Sequence, residues 1–325
     1  MRTALILAAG LFAAPAAAGV PEALDRHILP GFDRFVQETG ALARTAEEDC
    51  TAGTVAPAYH AAFDSWMPLA EVKIGPSDTG ALSVLFWPDD RGFTPKALNG
   101  LIADADPVVT QPEDYAEVSI AARGLMALDM LLFDPAYDSA DPYTCQLVTA
   151  VAVDLARQAE TLQAAWADEF AAALRSAGAA ENATFLSPQE AMRALYTQVL
   201  SGLEFTADQR LGRPLGTFER PRPRRAEAWR SERSLRNVLL AADAAQSLAH
   251  ALAETDLPLT DAAMVGVREA AAKVTDPGFQ DIDDPQARLQ VEVLAQEVRS
   301  LRTAIANEVG APLGIAPGFN SSDGD

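Results

Sequence analysis

Apolar residues recur at three- and four-residue intervals along almost the whole chain after residue 20, the period of an amphipathic α-helix. In the segment 28–42, for example, Ile28, Phe32, Phe35 and Leu42 fall on one face. No stretch of useful length alternates apolar and polar residues as a strand does. The pattern therefore predicts an all-α fold, with residues 77–95 irregular. The predicted helices cover residues 21–50, 55–73, 96–105, 115–134, 143–177, 188–211, 226–253, 259–274 and 284–309.

The run AGAAENATFLSP at 177–188 interrupts this pattern near the middle of the chain. It separates two sets of about four long helices, which predicts two helical bundles, residues 20–180 and 181–310. Residues 311–325 are rich in Pro, Gly and Ser and are predicted to be a flexible tail.

Residues 1–19, MRTALILAAGLFAAPAAAG, have the composition of a secretory signal peptide. Arg2 supplies the basic start, an apolar run follows, and small residues surround the expected cleavage point. The run is too short to span a membrane, and no later stretch is long and apolar enough. We therefore expect an exported, periplasmic protein without a membrane span.

The chain is strongly acidic, with 25 basic and 46 acidic residues and a formal net charge of −21. Such a charge disfavours binding to nucleic acid and to anionic membranes, and it is compatible with attracting cations or simply with solubility. Only two cysteines are present, Cys50 and Cys145. In an exported protein a disulfide between them is the natural interpretation, and two buried free thiols are the alternative.

The segment 115–134 places ionisable residues inside an apolar helical pattern. Met126 and Asp129 are three residues apart and share a helix face. A thioether is a soft ligand and a carboxylate a hard one, so this pair is a weak start for a metal site. His27 and Glu71 would complete the site if their helices converge. The alternative is that Met126 fills the core and Asp129 pairs with Arg123 or with an arginine of the second domain.

Two further segments are candidates for ligand binding. The run FWPDDRGF at 86–93 holds aromatic residues on either side of charged ones, which is typical of a loop fixed at the mouth of a cleft. The segment 220–236 contains seven arginines, and arginine binds carboxylate and phosphate groups in a bidentate manner. The alternative for the loop is that it is fixed on the bundle and contains an internal Asp–Arg pair. The alternative for the arginines is ion pairing between the two halves, for example with Asp89, Asp90 or Asp129. The predicted ligand-binding residues are Trp87, Asp89, Arg91, Trp229, Arg230, Arg233 and Asn237.

These segments, together with HILPGF at 27–32 and Gly75-Pro76, resemble the imelysin-like family, which includes iron-regulated periplasmic proteins. Gly124, Met126 and Asp129 occupy the positions of the family motif Gly-x-His-x-x-Glu, with Met126 in place of the histidine and Asp129 in place of the glutamate. The resemblance implies two helical bundles with a functional cleft between them. It also implies a link to iron.

The family resemblance and the residues together predict a periplasmic binding protein for iron or metal acquisition, holding a metal ion or an anionic chelate in the cleft. Other envelope iron-uptake proteins are the expected partners. No catalytic residue is predicted, because the chain contains neither His-Glu-x-x-His nor Gly-x-Ser-x-Gly. The rival hypotheses are a metallopeptidase using His27, Glu71 and Asp129, and a scaffold without small-molecule activity.

Overall fold

The computed structural model describes residues 19–312 and residue 314, and these residues form an all-helical protein without β-strands. The predicted fold class is confirmed. The predicted signal peptide, apart from Gly19, and most of the predicted tail lie outside the described residues. None of the helices in the described ranges is long and apolar enough to cross a membrane.

The first half of the chain forms one group of packed helices. The Leu29–Glu48 helix packs on its two neighbours, Ala52–Trp66 and Pro142–Ala165, and Gly124–Phe133 packs on both of these. Because the apolar faces of the long helices meet, aromatic side chains such as Phe32 are fully buried between them. The shorter α-helices of this half include Ser77–Val84, Phe93–Asp104, Pro112–Tyr115 and Ala171–Arg175.

The second half forms another group. Pro188–Phe205 and Pro258–Ala271 each pack on Ser234–Leu252 and on Pro285–Ile305. The first described helix, Val20–Ala23, packs against this second group although it opens the first half. The two groups agree with the arrangement expected from the sequence, while the domain boundary near residue 180 stays a prediction.

Wider, π-helical turns extend four of the long helices. They are Leu24–Ile28, Trp166–Phe170, Thr206–Leu211 and Ala306–Gly310. Two of them carry candidate or buried polar residues, His27 in the first and Arg210 in the third. Such turns are rare and are frequently found at functional sites.

The disulfide between Cys50 and Cys145 is present and confirms the prediction. Cys50 follows the Leu29–Glu48 helix, and Cys145 lies in the first turn of Pro142–Ala165. The bond therefore fastens the end of one helix to the start of the helix on which it packs. It closes a loop of 95 residues, for which chain entropy predicts a stabilisation of about 4 kcal/mol.

Four predicted elements are wrong in part. The helix predicted at 55–73 ends at Trp66, because Pro68 has no backbone N–H with which to continue it. Residues 77–95 are not wholly irregular, because Ser77–Val84 is a helix held by its buried Ala81 and Val84. The helix predicted at 115–134 begins only at Gly124, after an extended Arg123. The helix predicted at 226–253 begins only at Ser234.

Candidate functional site

A polar loop, residues 85–92, connects the Ser77–Val84 and Phe93–Asp104 helices. The carboxylate of Asp89 accepts the backbone N–H groups of Phe93 at 2.9 Å and Thr94 at 2.7 Å, so it caps the following helix. Asp90 forms an ion pair with Arg213 from the second half of the chain and lies 3.7 Å from Arg225. Those arginines lower the pKa of the Asp90 carboxyl. The loop is therefore tied to both halves of the protein.

The Gly124 helix, Gly124–Phe133, brings the family motif against this loop. Gly124 has φ +71°, and a Cβ atom there would lie 2.3 Å from the carbonyl oxygens of Ser83 and Val84. The backbone of this helix therefore approaches the Ser77–Val84 helix more closely than any side chain would allow. This contact positions Met126 and Asp129.

Asp129 is completely buried. Its Oδ1 accepts the backbone N–H of Ser231 at 3.3 Å, the Ser231 hydroxyl, and the Tyr59 hydroxyl at 3.3 Å. Its Oδ2 has no hydrogen-bond partner among the described residues, and the Arg230 guanidinium lies 4.0 Å away. Burial raises the pKa of the Asp129 carboxyl to about 6, although Ser231 and Arg230 act in the opposite direction.

Residues 226–233, predicted to be helical, instead form a tight turn that presents Trp229 and Arg230. Two residues of the turn, Ala228 and Glu232, have positive φ angles of 47° and 57°. Such conformations cost about 1 to 3 kcal/mol each and persist only where surrounding contacts impose them. Arg230 donates to Asp134 at 2.7 Å and its guanidinium lies 4.6 Å from the centre of the Trp229 ring.

A buried ionic network lies behind this turn and joins the two halves of the chain. Glu227 accepts a hydrogen bond from Arg210 at 2.9 Å and another from Asn237 at 2.9 Å. Arg210 also pairs with Glu71 at 2.7 Å, and Arg233 pairs with Asp64 at 2.5 Å. This pairing matters for stability, because an unpaired charge buried at this depth would strongly destabilise the folded protein. The network fixes the base of the turn.

Between the loop and the turn lies a cavity of about 240 Å³, here called the arginine cavity. Its residues come from both halves of the chain, at 86–130 and 213–230. Four guanidinium groups reach it, and two carboxylates oppose them, one of which, Asp89, is engaged by backbone N–H groups. The charged and sulfur-containing residues that line it are Asp89, Asp90, Met126, Met130, Arg213, Arg224, Arg225 and Arg230.

The predicted ligand-binding residues divide into two sets. Trp87, Asp89, Trp229 and Arg230 line the arginine cavity. Arg91, Arg233 and Asn237 do not line it. Arg91 is exposed, while Arg233 and Asn237 are buried in the ionic network. Because residues 226–233 form a turn, Arg230 does not share a helix face with Arg233 and Asn237 as expected.

The predicted metal ligands are distributed over separate sites. Met126 lines the arginine cavity and Asp129 lies buried beside Ser231. His27 and Glu71 line a small apolar cavity elsewhere, where His27 contacts Ser247 and the Pro68 carbonyl at 3.2 Å. Within the described ranges no group of three or more His, Cys, Asp or Glu side chains could hold a metal ion. One carboxylate oxygen of Asp129 and the Met126 thioether do not make a ligand set for iron.

Five of the charged and sulfur-containing residues that line the cavity were predicted neither as ligand-binding residues nor as metal ligands: Asp90, Met130, Arg213, Arg224 and Arg225. Arg224 and Arg225 belong to the arginine-rich segment, so composition signalled them as part of a cluster. The spacing of four residues from Met126 to Met130 could have revealed the second methionine. Arg213 carries no such signal, because its approach to the loop depends on how the halves pack.

Asp129 should make the stability of the protein pH-dependent. Its pKa in the native state, about 6, exceeds the ordinary value of 3.8, so its contribution to stability is complete below about pH 3.8 and is lost as the pH rises through 6. Two pKa units correspond to about 3 kcal/mol. Urea titrations between pH 4 and pH 7 should show this loss in the wild type and not in Asp129→Asn. Parallel pH profiles for the two proteins would contradict the assignment.

The sequence matches a family model, and the fold matches solved structures. A family model described as imelysin matches residues 28–305. An imelysin-like protein from Psychrobacter arcticum 273-4 has a similar structure, with a TM-score of 0.72, 17% identity, and coverage of 92% of this chain and 96% of that one. A candidate iron-regulated protein A precursor from Parabacteroides distasonis ATCC 8503 also has a similar structure, with a TM-score of 0.65 and 14% identity. The match covers 88% of this chain and 94% of that one. No curated protein has a matching sequence.

Proposed function

The chain belongs to the imelysin family, and we propose that it is an exported binding protein that holds an anionic ligand, such as a carboxylate chelate of iron, in the arginine cavity. The sequence of residues 1–19 supports export. The Cys50–Cys145 disulfide is compatible with an oxidising compartment. Iron-uptake proteins of the envelope are the proposed partners.

The observation that carries this proposal is the excess of guanidinium groups in one cavity of an otherwise acidic protein. Arg213 pairs with Asp90, and Arg230 pairs with Asp134. Arg224 forms no ion pair among the described residues, and its guanidinium lies 5.9 Å from the centre of the Trp229 ring. Arg225 has only the 3.7 Å contact with Asp90. Donors of Arg224 and Arg225 therefore remain for carboxylate oxygens of a ligand.

The same geometry favours a chelate over a bare metal ion. Four positive groups around a small cavity repel a cation, and the predicted metal ligands lie apart. A ferric ion wrapped in carboxylates presents negative oxygens to its surroundings, which suits arginine. The iron-regulated name of one structural relative supports iron as the metal.

Citrate and ferric citrate are suitable probes of this cavity. We expect both to raise the thermal midpoint of the purified mature protein, because a ligand that binds only the native state stabilises it by mass action. Isothermal titration should show a Kd at least about tenfold weaker for the double variant Arg224→Gln/Arg225→Gln, since two charge-assisted contacts are lost.

Arg268→Gln is the matched control, because Arg268 is a half-exposed arginine that pairs with Asp243 and does not line the cavity. Its affinity should equal that of the wild type. The proposal is wrong if neither probe binds, or if Arg268→Gln weakens binding as much as the double variant does. If citrate and ferric citrate bind equally well, the anion site is supported and a preference for iron is refuted.

A further inference from the structure

The arginine cavity adjoins a larger cavity of about 470 Å³, here called the second cavity. Three residues line both: Arg224, Trp229 and Arg230. The Trp229 indole, with the Arg230 guanidinium 4.6 Å from its ring centre, is therefore a wall common to the two spaces. A ligand that contacts Arg224 and Trp229 can therefore extend into both cavities.

The second cavity differs from the first in charge. Its acidic residues are Asp134, Glu232 and Asp276, and its only basic residues are the two shared arginines. Arg230 is largely neutralised by Asp134 at 2.7 Å. Glu232 and Asp276 thus give the far part of this cavity a negative potential, while the arginine cavity stays positive.

Hydrogen-bond acceptors in the second cavity remain unused. Asp276 accepts the Gly278 N–H through Oδ1, which leaves Oδ2. The Gln280 amide nitrogen donates to the Pro223 and Gly278 carbonyls, which fixes the amide and leaves its oxygen as an acceptor. No hydrogen bond or ion pair of the Glu232 side chain occurs within the described part of the chain. A primary ammonium group has three donors and suits three such oxygens.

From this arrangement we propose that the physiological ligand is an elongated zwitterion, with anionic groups in the arginine cavity and an ammonium group in the second cavity. The inference rests on the proposed anion binding and adds the cationic end of the ligand. An organic cation fits better than a metal ion, because the described residues offer no group of three metal-ligating side chains here.

A single backbone turn contributes residues to both cavities. The turn at 226–233 holds Trp229, Arg230 and Glu232 in sequence, and the backbone N–H of Glu232 donates to the Trp229 carbonyl at 3.2 Å. Trp229 and Arg230 line both cavities, and Glu232, which is held at positive φ, lines only the second cavity. A preformed site of this kind loses little conformational entropy on binding.

The test uses peptides with two glutamates at one end and a lysine at the other, acetylated at the N-terminus and amidated at the C-terminus, with one to four glycines between. Each is compared by titration with its copy in which the lysine Nε is acetylated. For at least one spacer length, the free ammonium should tighten binding to the mature protein by about tenfold, the effect of one charge-assisted contact. Citrate is titrated in parallel as an anion without an ammonium group.

The variant Glu232→Gln/Asp276→Asn should remove the preference for the free lysine while leaving citrate binding unchanged. The asparagine can still accept the Gly278 N–H, so the local fold is retained. Glu254→Gln, at an exposed acid outside both cavities, should keep the preference. If citrate binds but no spacer length shows a preference, the zwitterion is refuted and the anion site stands. If neither citrate nor any peptide binds, both proposals fall.

Discussion

Gly124→Ala is expected to lower the free energy of unfolding by about 4 kcal/mol. An alanine at φ +71° adopts a left-handed conformation that costs about 1 to 3 kcal/mol. Its methyl group would also lie 2.3 Å from two backbone oxygens, Ser83 O and Val84 O, which cannot rotate away as a side chain can. Separating the two helices to relieve this overlap costs about 1 to 3 kcal/mol more. Chemical denaturation at pH 7 measures the loss.

Gly100 provides the matched control for this substitution. It lies within the Phe93–Asp104 helix, has no positive φ, and a Cβ atom there would meet nothing within 4 Å. Gly100→Ala should therefore raise the stability by about 0.5 to 1 kcal/mol. If the two alanine variants were equally stable, the close approach at Gly124 would be disproved.

Glu227→Ala is expected to destabilise the protein by about 3 to 5 kcal/mol, the usual cost of removing one partner from a buried ion pair. Arg210 is 1% exposed and would keep only Glu71 as an acidic partner, while the Asn237 amide would lose an acceptor. Because Glu227 is part of the turn that carries Trp229 and Arg230, citrate affinity should fall as well. Urea denaturation and titration with citrate measure the two effects.

Two further variants separate the effect of burial from the effect of pairing, one within this network and one at a half-exposed ion pair outside it. Arg210→Met combined with Glu227→Leu should recover much of the lost stability, because no unpaired charge remains at that depth and Glu71 keeps its partner Lys73. Asp243→Ala, which breaks a half-exposed pair with Arg268, should cost less than about 1 kcal/mol. A loss below 1 kcal/mol for Glu227→Ala would show that the ionic network does not support the turn.

The helices that the sequence predicted well are those whose apolar faces are long. Residues 28–48 and 285–305 contain enough turns for the helical period to be unambiguous, and both are helical. Ser77–Val84 has eight residues, including Ser, Thr and Gly, which are weak helix formers. Tertiary packing of two buried side chains, Ala81 and Val84, stabilises it instead.

The two misplaced helix starts have a common cause. Residues 115–123 and 226–233 contain apolar residues at helical spacing, so the pattern extended both helices toward the N-terminus. In the folded protein Arg123 leaves the helical path to pair with the buried Asp154 at 2.7 Å, and Ala228 and Glu232 take left-handed conformations. The local helical preference of these two segments is overridden, because long-range contacts in the tertiary structure stabilise the non-helical conformations.

The candidate site was predicted only in part, for a similar reason. Trp87, Asp89, Trp229 and Arg230 meet around one cavity, and the sequence had placed them in two separate functional segments. Arg233 belongs to the same arginine-rich run but turns inward to Asp64. Composition shows that arginines cluster, whereas the direction of each side chain depends on the backbone turn that carries it.

The sequence by itself therefore determined the all-helical fold, the disulfide and the family, because helical period, cysteine number and motif spacing are local or can be counted along the chain. The tertiary structure alone decided that Asp129 is buried beside Ser231, and that Arg224 and Arg225 stay exposed at the cavity while Arg210 and Arg233 are buried in ion pairs. Whether a charge is free to bind a ligand depends on which distant residues surround it, and that is settled only when the two halves of the chain pack together.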